Sequence, residues 1–259
     1  SGVIMIEKKK LIQQMTAEED QIMVSRLYDL ARSARGGWRA SGFFLDPAKC
    51  ARVADWFGDC EPTLWGGYEG AERQMVSFGQ ACAQPDWFPI CAMEIVPSFA
   101  WEASHRDILG AVMGLGIDRS KIGDILVTSE KGTLFCDQPL SDFLSDQLCA
   151  VGRYRVKTRE IPVDQVEIPE KKYQEITDTV ASLRADCILA AIYSLPRAKA
   201  QEAIVSGRVT VNWEELTSLN AELKEGDVIS LRGMGRSELT KIGGLSRKGR
   251  IFIQAKRLL

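Results

Sequence analysis

The sequence runs to 259 residues, 45% of them hydrophobic and 26% charged, with a formal net charge of −2. That length suits about two domains, and that composition an ordinary globular chain. No apolar run approaches the roughly 18 residues a membrane-spanning helix requires, so no membrane insertion is expected. Val3-Ile4-Met5-Ile6 stands before Glu7 and Lys8-Lys9-Lys10, the wrong order and too short for a secretory signal, and a cytoplasmic protein is expected. Ser1-Gly2 reads as a cloning remnant.

The first section, 1–65, reads as helical. Glu18-Glu19-Asp20 places acids in a first turn, where they suit the helix dipole. Ile22, Leu27, Leu30 and Ala31 form an apolar stripe that Gly36-Gly37 ends. A second helix starts at Asp46-Pro47 and runs to Phe57-Gly58.

The middle section, 66–160, orders its elements as β-α-β-β-α-β. "FPICAMEIV" (88–96) is a strand, and Ser104 caps a helix running through Met113-Gly114. "DILVTSE" (124–130) and "TLFC" (133–136) pair across Lys131-Gly132. "LSDFLSDQLCAV" is a helix, and "YRVKTREI" returns as an alternating strand. This is the ferredoxin-like order that RNA-recognition (RRM-like) domains share. Trp38, Trp56, Trp65, Trp87 and Trp101 read as packing residues.

Residues 161–173, with two prolines and mixed charge, read as a linker. From 174 come a strand to about 181, helices over 185–193 and 196–206, and strands near 209–212, 227–232 and 250–255. The fold class is therefore α+β. Cys50, Cys60, Cys82, Cys91, Cys136, Cys149 and Cys187 form no C-x-x-C pair, and His105 is the single histidine. Neither a zinc site nor a redox pair is expected, nor any cofactor. The thiols read as reduced core residues.

Charge is divided unevenly. Residues 181–259 hold thirteen Lys and Arg against eight acids, net +5, which leaves −7 on residues 1–180. Such asymmetry points to a polyanion-binding end. In "LPRAKAQEAIVSGRVTVN" (195–212), Ala200, Ala203 and Ile204 supply a buried face, while Arg197 and Gln201 lie one turn apart. Lys199 points toward Glu202. Gly207 closes the helix and brings Arg208 onto the next strand. Arg184, Arg197, Gln201 and Arg208 are expected to line one curved surface, helped by the backbone N–H groups of helix starts.

These residues resemble the S-four domain, an RNA-binding domain first named for a small-subunit ribosomal protein. The matching residues are Arg184-Ala185-Asp186, Pro196-Arg197-Ala198-Lys199-Ala200, Ala203-Ile204, Gly207-Arg208-Val209-Thr210-Val211-Asn212 and Leu223-Lys224-Glu225-Gly226-Asp227-Val228-Ile229. Ala185, Pro196 and Trp213 depart from the usual Leu, Ser and Gly. Pro196 removes a hydroxyl that would contact phosphate. Trp213 is read as a packed ring rather than a stacking platform. "GGYEGAER" (66–73) and "HRDILGAVMGLGIDRSKIGDIL" (105–126) extend the resemblance to the YlmH family of bacterial ribosome-associated RNA-binding proteins. The Trp-rich first section is similar to the version labelled the photosystem II S-four domain protein.

The resemblance implies no catalysis and binding to ribosomal or transfer RNA on the large ribosomal subunit, by a monomer. RNA contacts are expected from Arg184, Arg197, Lys199, Gln201, Arg208, Asn212, Arg232 and Arg236, and from Tyr68, Arg73, His105 and Arg106 in the middle section. For Tyr68 and Arg73 a second reading stands beside this: a structural turn with a Glu69–Arg73 surface pair. His105-Arg106-Asp107 copies the kinase H-R-D, but Val112 stands where that loop needs Asn, and no Gly-rich loop or D-F-G accompanies it. Ser104 and Asp107 are expected instead to serve the helix start, leaving His105 and Arg106 exposed. Two other readings remain: an RNA-modifying enzyme whose tail grips substrate, and a photosystem assembly factor.

Overall fold

A computed structural model describes residues 8–13, 18–34, 37–79, 84–170 and 172–258. The residues before Lys8, Gly36 of the expected helix stop, Cys82 and Lys171 of the expected linker lie outside the described residues. Contacts divide the chain into two compact units, 1–169 and 170–259.

In the first unit, α1 (Lys8–Gln13) and α2 (Glu18–Ser33) precede a short strand, β1 (Arg39–Ala40). The buried stripe of α2 is Val24, Leu27 and Ala31, whereas Ile22 is exposed. Spacing of i, i+3 and i+7 explains the choice, because Ile22 falls off that face. The helix α3 (Pro47–Phe57) begins as expected, with the Asp46 carboxylate accepting from the Lys49 backbone N–H and Pro47 in the first turn. The first section is not helical alone: β2 (Thr63–Trp65) and β3 (Met75–Phe78) join β1 in a three-stranded sheet of order β1-β3-β2.

The second sheet of this unit contains β4 (Ile90–Pro97), β5 (Ile122–Val127), β6 (Gly132–Asp137), β7 (Ala150–Val151) and β8 (Tyr154–Ile161). With α4 (His105–Gly114) and α5 (Ser141–Gln147) it forms the expected ferredoxin-like unit, order β5-β6-β4-β8-β7, with antiparallel neighbours. The β5–β6 turn is two residues earlier than the spacing suggested, at Ser129-Glu130: the Thr128 N–H donates to the Lys131 carbonyl. The helix expected over 140–151 stops at Gln147, because Gly152, at φ 55°, folds the chain back into the β7–β8 hairpin.

Every residue of β6, and β4 from Ile90 to Ile95, is buried. On one face Met93, Ile95 and Leu134 pack with Trp101, Ile108, Val112 and Leu144. On the other, Ala92 and Phe135 pack with Phe44, Tyr68, Met75 and Phe88. The central strands of the RRM-like sheet are thus covered on both sides.

In the second unit, β9 (Tyr173–Val180), α6 (Ala185–Ile192) and α7 (Arg197–Val205) are followed by β10 (Val209–Val211), β11 (Glu214–Glu215), β12 (Val228–Leu231), β13 (Gly235–Leu245) and β14 (Ile251–Leu258). The sheet order is β11-β10-β12-β13-β14-β9. Ile188, Leu189, Ile192, Ala203 and Ile204 of the helices bury against Val209, Ile229, Leu239 and Ile253 of the sheet. Each Val, Leu or Ile side chain among them contributes about 1.5–3 kcal/mol when fully buried. The long strand β13 went unread in the sequence, since Gly235, Gly243 and Gly244 and two register shifts hide its alternation.

Candidate nucleic-acid interface

The two helices of the second unit meet at one acid. Asp186, in the first turn of α6, has a side chain 0% exposed. Arg184, just ahead of α6, donates to it from Nε at 3.1 Å and Nη2 at 3.2 Å. Arg197, opening α7, donates from Nε at 2.9 Å, and Gln201 one turn later from Nε2 at 2.7 Å. Burial works against the Asp186 charge, but the hydrogen bonds from Arg184, Gln201 and Arg197 outweigh it. They hold the carboxyl well below the usual carboxylate range.

Two guanidiniums on one carboxylate leave a net positive group. Arg197 is engaged through Nε, and its side chain remains 53% exposed. A pinned arginine whose outer nitrogens face water loses little side-chain entropy when it meets a phosphate. Beside it, a recess of about 330 Å3 is lined by Arg197, Arg250, Thr179 and Cys187. Sequence reasoning missed Arg250 as a site residue, though the basic run Arg247-Lys248-Gly249-Arg250 had signalled it. Its Nε donates to Thr179 Oγ1 at 3.0 Å, and Nη2 donates to the Thr179 carbonyl.

Of the four residues expected to line one curved surface, Arg184, Arg197 and Gln201 meet at Asp186, and Arg208 is not among that acid's partners. Arg208 is exposed and donates to Ser206 Oγ at 3.0 Å. Lys199 bonds Glu202 at 2.8 Å, about 160° around α7 from Arg197. Lys199 first, and then Arg208, lower the Glu202 carboxyl. Exposed Arg232 is tied to Arg208 through the backbone alone: its main-chain N–H donates to the Arg208 carbonyl at 2.9 Å.

Asn212 is committed to the fold. It and Trp213 have φ of 48° and 66°, the two-residue turn that suits the twist of a hairpin. Its Nδ2 donates to Asp227 and its Oδ1 accepts from the Val228 N–H, each at 2.9 Å. Trp213 is half-buried, with the Arg236 guanidinium 6.0 Å from its ring centroid. Packing therefore describes the ring, and Arg236 covers it.

In the first unit the structural reading of "GGYEGAER" prevails, and two expected contacts are corrected. Tyr68 is buried against Phe135, and its hydroxyl donates to Asp124 at 2.7 Å. Burial, then that carboxylate, pushes the phenol up. Asp124 also accepts the backbone N–H groups of Glu72 and Arg73. Arg73 turns inward instead of pairing with Glu69: Nε donates to the Ile122 carbonyl at 2.8 Å, and Nη2 to those of Phe44 and Arg119. Gly66 and Gly67 permit this latch, because a Cβ on Gly67 would lie 2.5 Å from the Phe135 ring.

Ser104 and Asp107 form a reciprocal capping box, and His105 and Arg106 stay exposed as expected. Partial burial of its ring, then Arg119, lowers the His105 imidazole. Among the described residues no group of three or more His, Cys, Asp or Glu is placed to hold a metal, and no helix is long and apolar enough to cross a membrane.

A ferredoxin-like unit followed by a helix pair on a basic antiparallel sheet defines a two-unit chain of RNA-binding type. The family model described as "Putative RNA-binding domain in YlmH" matches residues 85–165, and the S4 domain model matches 183–229. The "Ribosome-associated protein quality control protein P2" of Bacillus subtilis (strain 168) is 32% identical over 220 residues, 83% of this chain and 85% of its own. A solved structure, "Cell division protein ylmH from Streptococcus pneumoniae", is 25% identical, covers 60% of this chain and 98% of that one, and has a TM-score of 0.46. The chain belongs to the YlmH family and carries an S-four RNA-binding domain at residues 183–229.

Proposed function

We propose that this chain is a non-enzymatic protein that docks on structured ribosomal or transfer RNA, as a monomer working with the large ribosomal subunit. The observation that carries the proposal is the Asp186 hub, which fixes Arg184, Arg197 and Gln201 with Arg197 half in water. The name of the Bacillus relative, which ties that protein to the ribosome, agrees with it. Exposed Arg208 and Arg232, whose backbones are hydrogen-bonded to each other, would supply a second contact.

The test is co-sedimentation with ribosomes, and binding to ribosomal and transfer RNA, over a range of salt. Arg197→Ala with Arg208→Ala removes two phosphate contacts, so the slope of log affinity on log salt becomes shallower by about 1.4–1.8. An unchanged slope refutes the proposal. Alanine serves better than glutamate at 197, because a new acid would sit against buried Asp186 and unfold the hub. Incubating RNA with the protein and finding modified nucleosides would establish the enzyme reading instead.

A further inference from the structure

The strand β8, beside the two-residue edge strand β7, carries three cations in alternation. Arg155, Lys157 and Arg159 of β8 are all exposed, while Val156 between them is buried and Thr158 bonds the Leu148 carbonyl. Alternation turns the three cations away from α4 and α5, at a spacing of roughly 6.6 Å along the strand. Across the ladder Lys157 faces Val96 and Arg159 faces Glu94. Val96 is 39% exposed, and just beyond β4 Phe99 is 84% exposed, beside the bond from the Ser98 N–H to the Arg155 carbonyl.

Glu94 and Glu167 are already matched. Glu94 accepts from Arg159 Nη2 at 2.6 Å and Lys131 Nζ at 3.1 Å, and Lys131 also approaches Glu167 at 3.7 Å. Four cations stand against two carboxylates, net +2, on a unit whose sequence is acidic overall. Meanwhile the central strands, on which RRM domains stack bases, are sealed by Tyr68, Phe44, Met75 and Phe88.

We propose that the Arg155–Lys157–Arg159 row is a second RNA-contact surface. It follows the sugar–phosphate backbone with successive cations, while Phe99 offers a ring at its end. The row takes a polyanion at one charge per nucleotide. Covering the central strands leaves it as the sheet's exposed basic track. The proposal deepens the RNA-binding reading and rests on it for the identity of the polyanion.

The test is carried out on the full chain with Arg155→Gln and Lys157→Gln together, Arg197→Ala as comparator, and unfractionated transfer RNA as probe. The expected result is binding weakened about tenfold, with the salt slope shallower by about 1.4 for two lost phosphate contacts, and an unchanged melting temperature. Affinity and slope equal to wild type, in a chain that Arg197→Ala weakens, overturn it. If Arg197→Ala has no effect while the β8 variant weakens binding, the S-four reading fails and this surface stands. Vesicles of phosphatidylcholine and phosphatidylglycerol form the other arm: vesicle binding lost with RNA binding kept overturns the proposal in favour of a lipid surface. Should the double variant melt early, Lys157→Gln alone answers the same question, because the Lys157 side chain makes no hydrogen bond among the described residues.

Discussion

Asp186 shows how one residue converts charge into geometry. Its folded carboxyl lies below the unfolded value of about 3.9, so the stability it contributes is complete above that pH and is lost as pH falls through the folded value. Asp186→Asn therefore destabilises the second unit by roughly 2–3 kcal/mol at neutral pH, through weaker hydrogen bonds to charged groups. The gap between wild type and variant begins to narrow below about pH 4 and closes as pH falls through the folded value, which urea melts at several pH values would follow. At Tyr68 the expectation reverses. Tyr68→Phe loses a bond to a carboxylate worth about 1.5–3 kcal/mol of stability. RNA affinity stays unchanged, because the hydroxyl faces Asp124 rather than solvent.

Residue roles were unevenly legible. The i, i+4 spacing of Arg197 and Gln201 was visible in sequence, and the structure brings the two to one acid. That Asp186 was the acid was not visible, since a carboxylate in a first turn reads equally well as a dipole partner. Arg73 and Tyr68 misled for a related reason. A loop rich in glycine, an aromatic and an arginine has the composition of an RNA contact. Only the third dimension reveals Asp124 waiting 51 and 56 positions away.

At the scale of elements, strong local signals held and weak ones failed. The Asp46-Pro47 start, the Ser104 capping box and the β-α-β-β-α-β order each rest on short-range chemistry and appear where expected. The two-residue strands β1, β7 and β11 have too few positions to show a period, and β13 hides its period behind glycine. Among the latch residues Gly67 is the most demanding, at φ 103° against the Phe135 ring. Gly67→Ala is expected to cost about 1–3 kcal/mol through overpacking, with backbone strain added. Calorimetry should show the first unit melting earlier while the second is unaffected.

At the scale of the whole molecule, each unit owns its core. The cluster holding α6 and α7 to the sheet draws only on residues 176–255, and those of the first unit end at Val166. A fragment of residues 170–259 is therefore expected to fold by itself, with a cooperative melt and retained RNA binding. Its salt slope should fall short of the full chain's by the contribution of β8. A fragment that fails to melt cooperatively would contradict the independence of the cores.

The sealing of β4 and β6 has one more consequence. Bases are told apart by edges and planes laid against side chains, and here the central strands keep theirs turned inward. What the first unit can measure is the path of a strand, not its letters. Scrambling the nucleotides of a hairpin stem while preserving its pairing should leave the grip of β8 intact, whereas opening that hairpin should alter it.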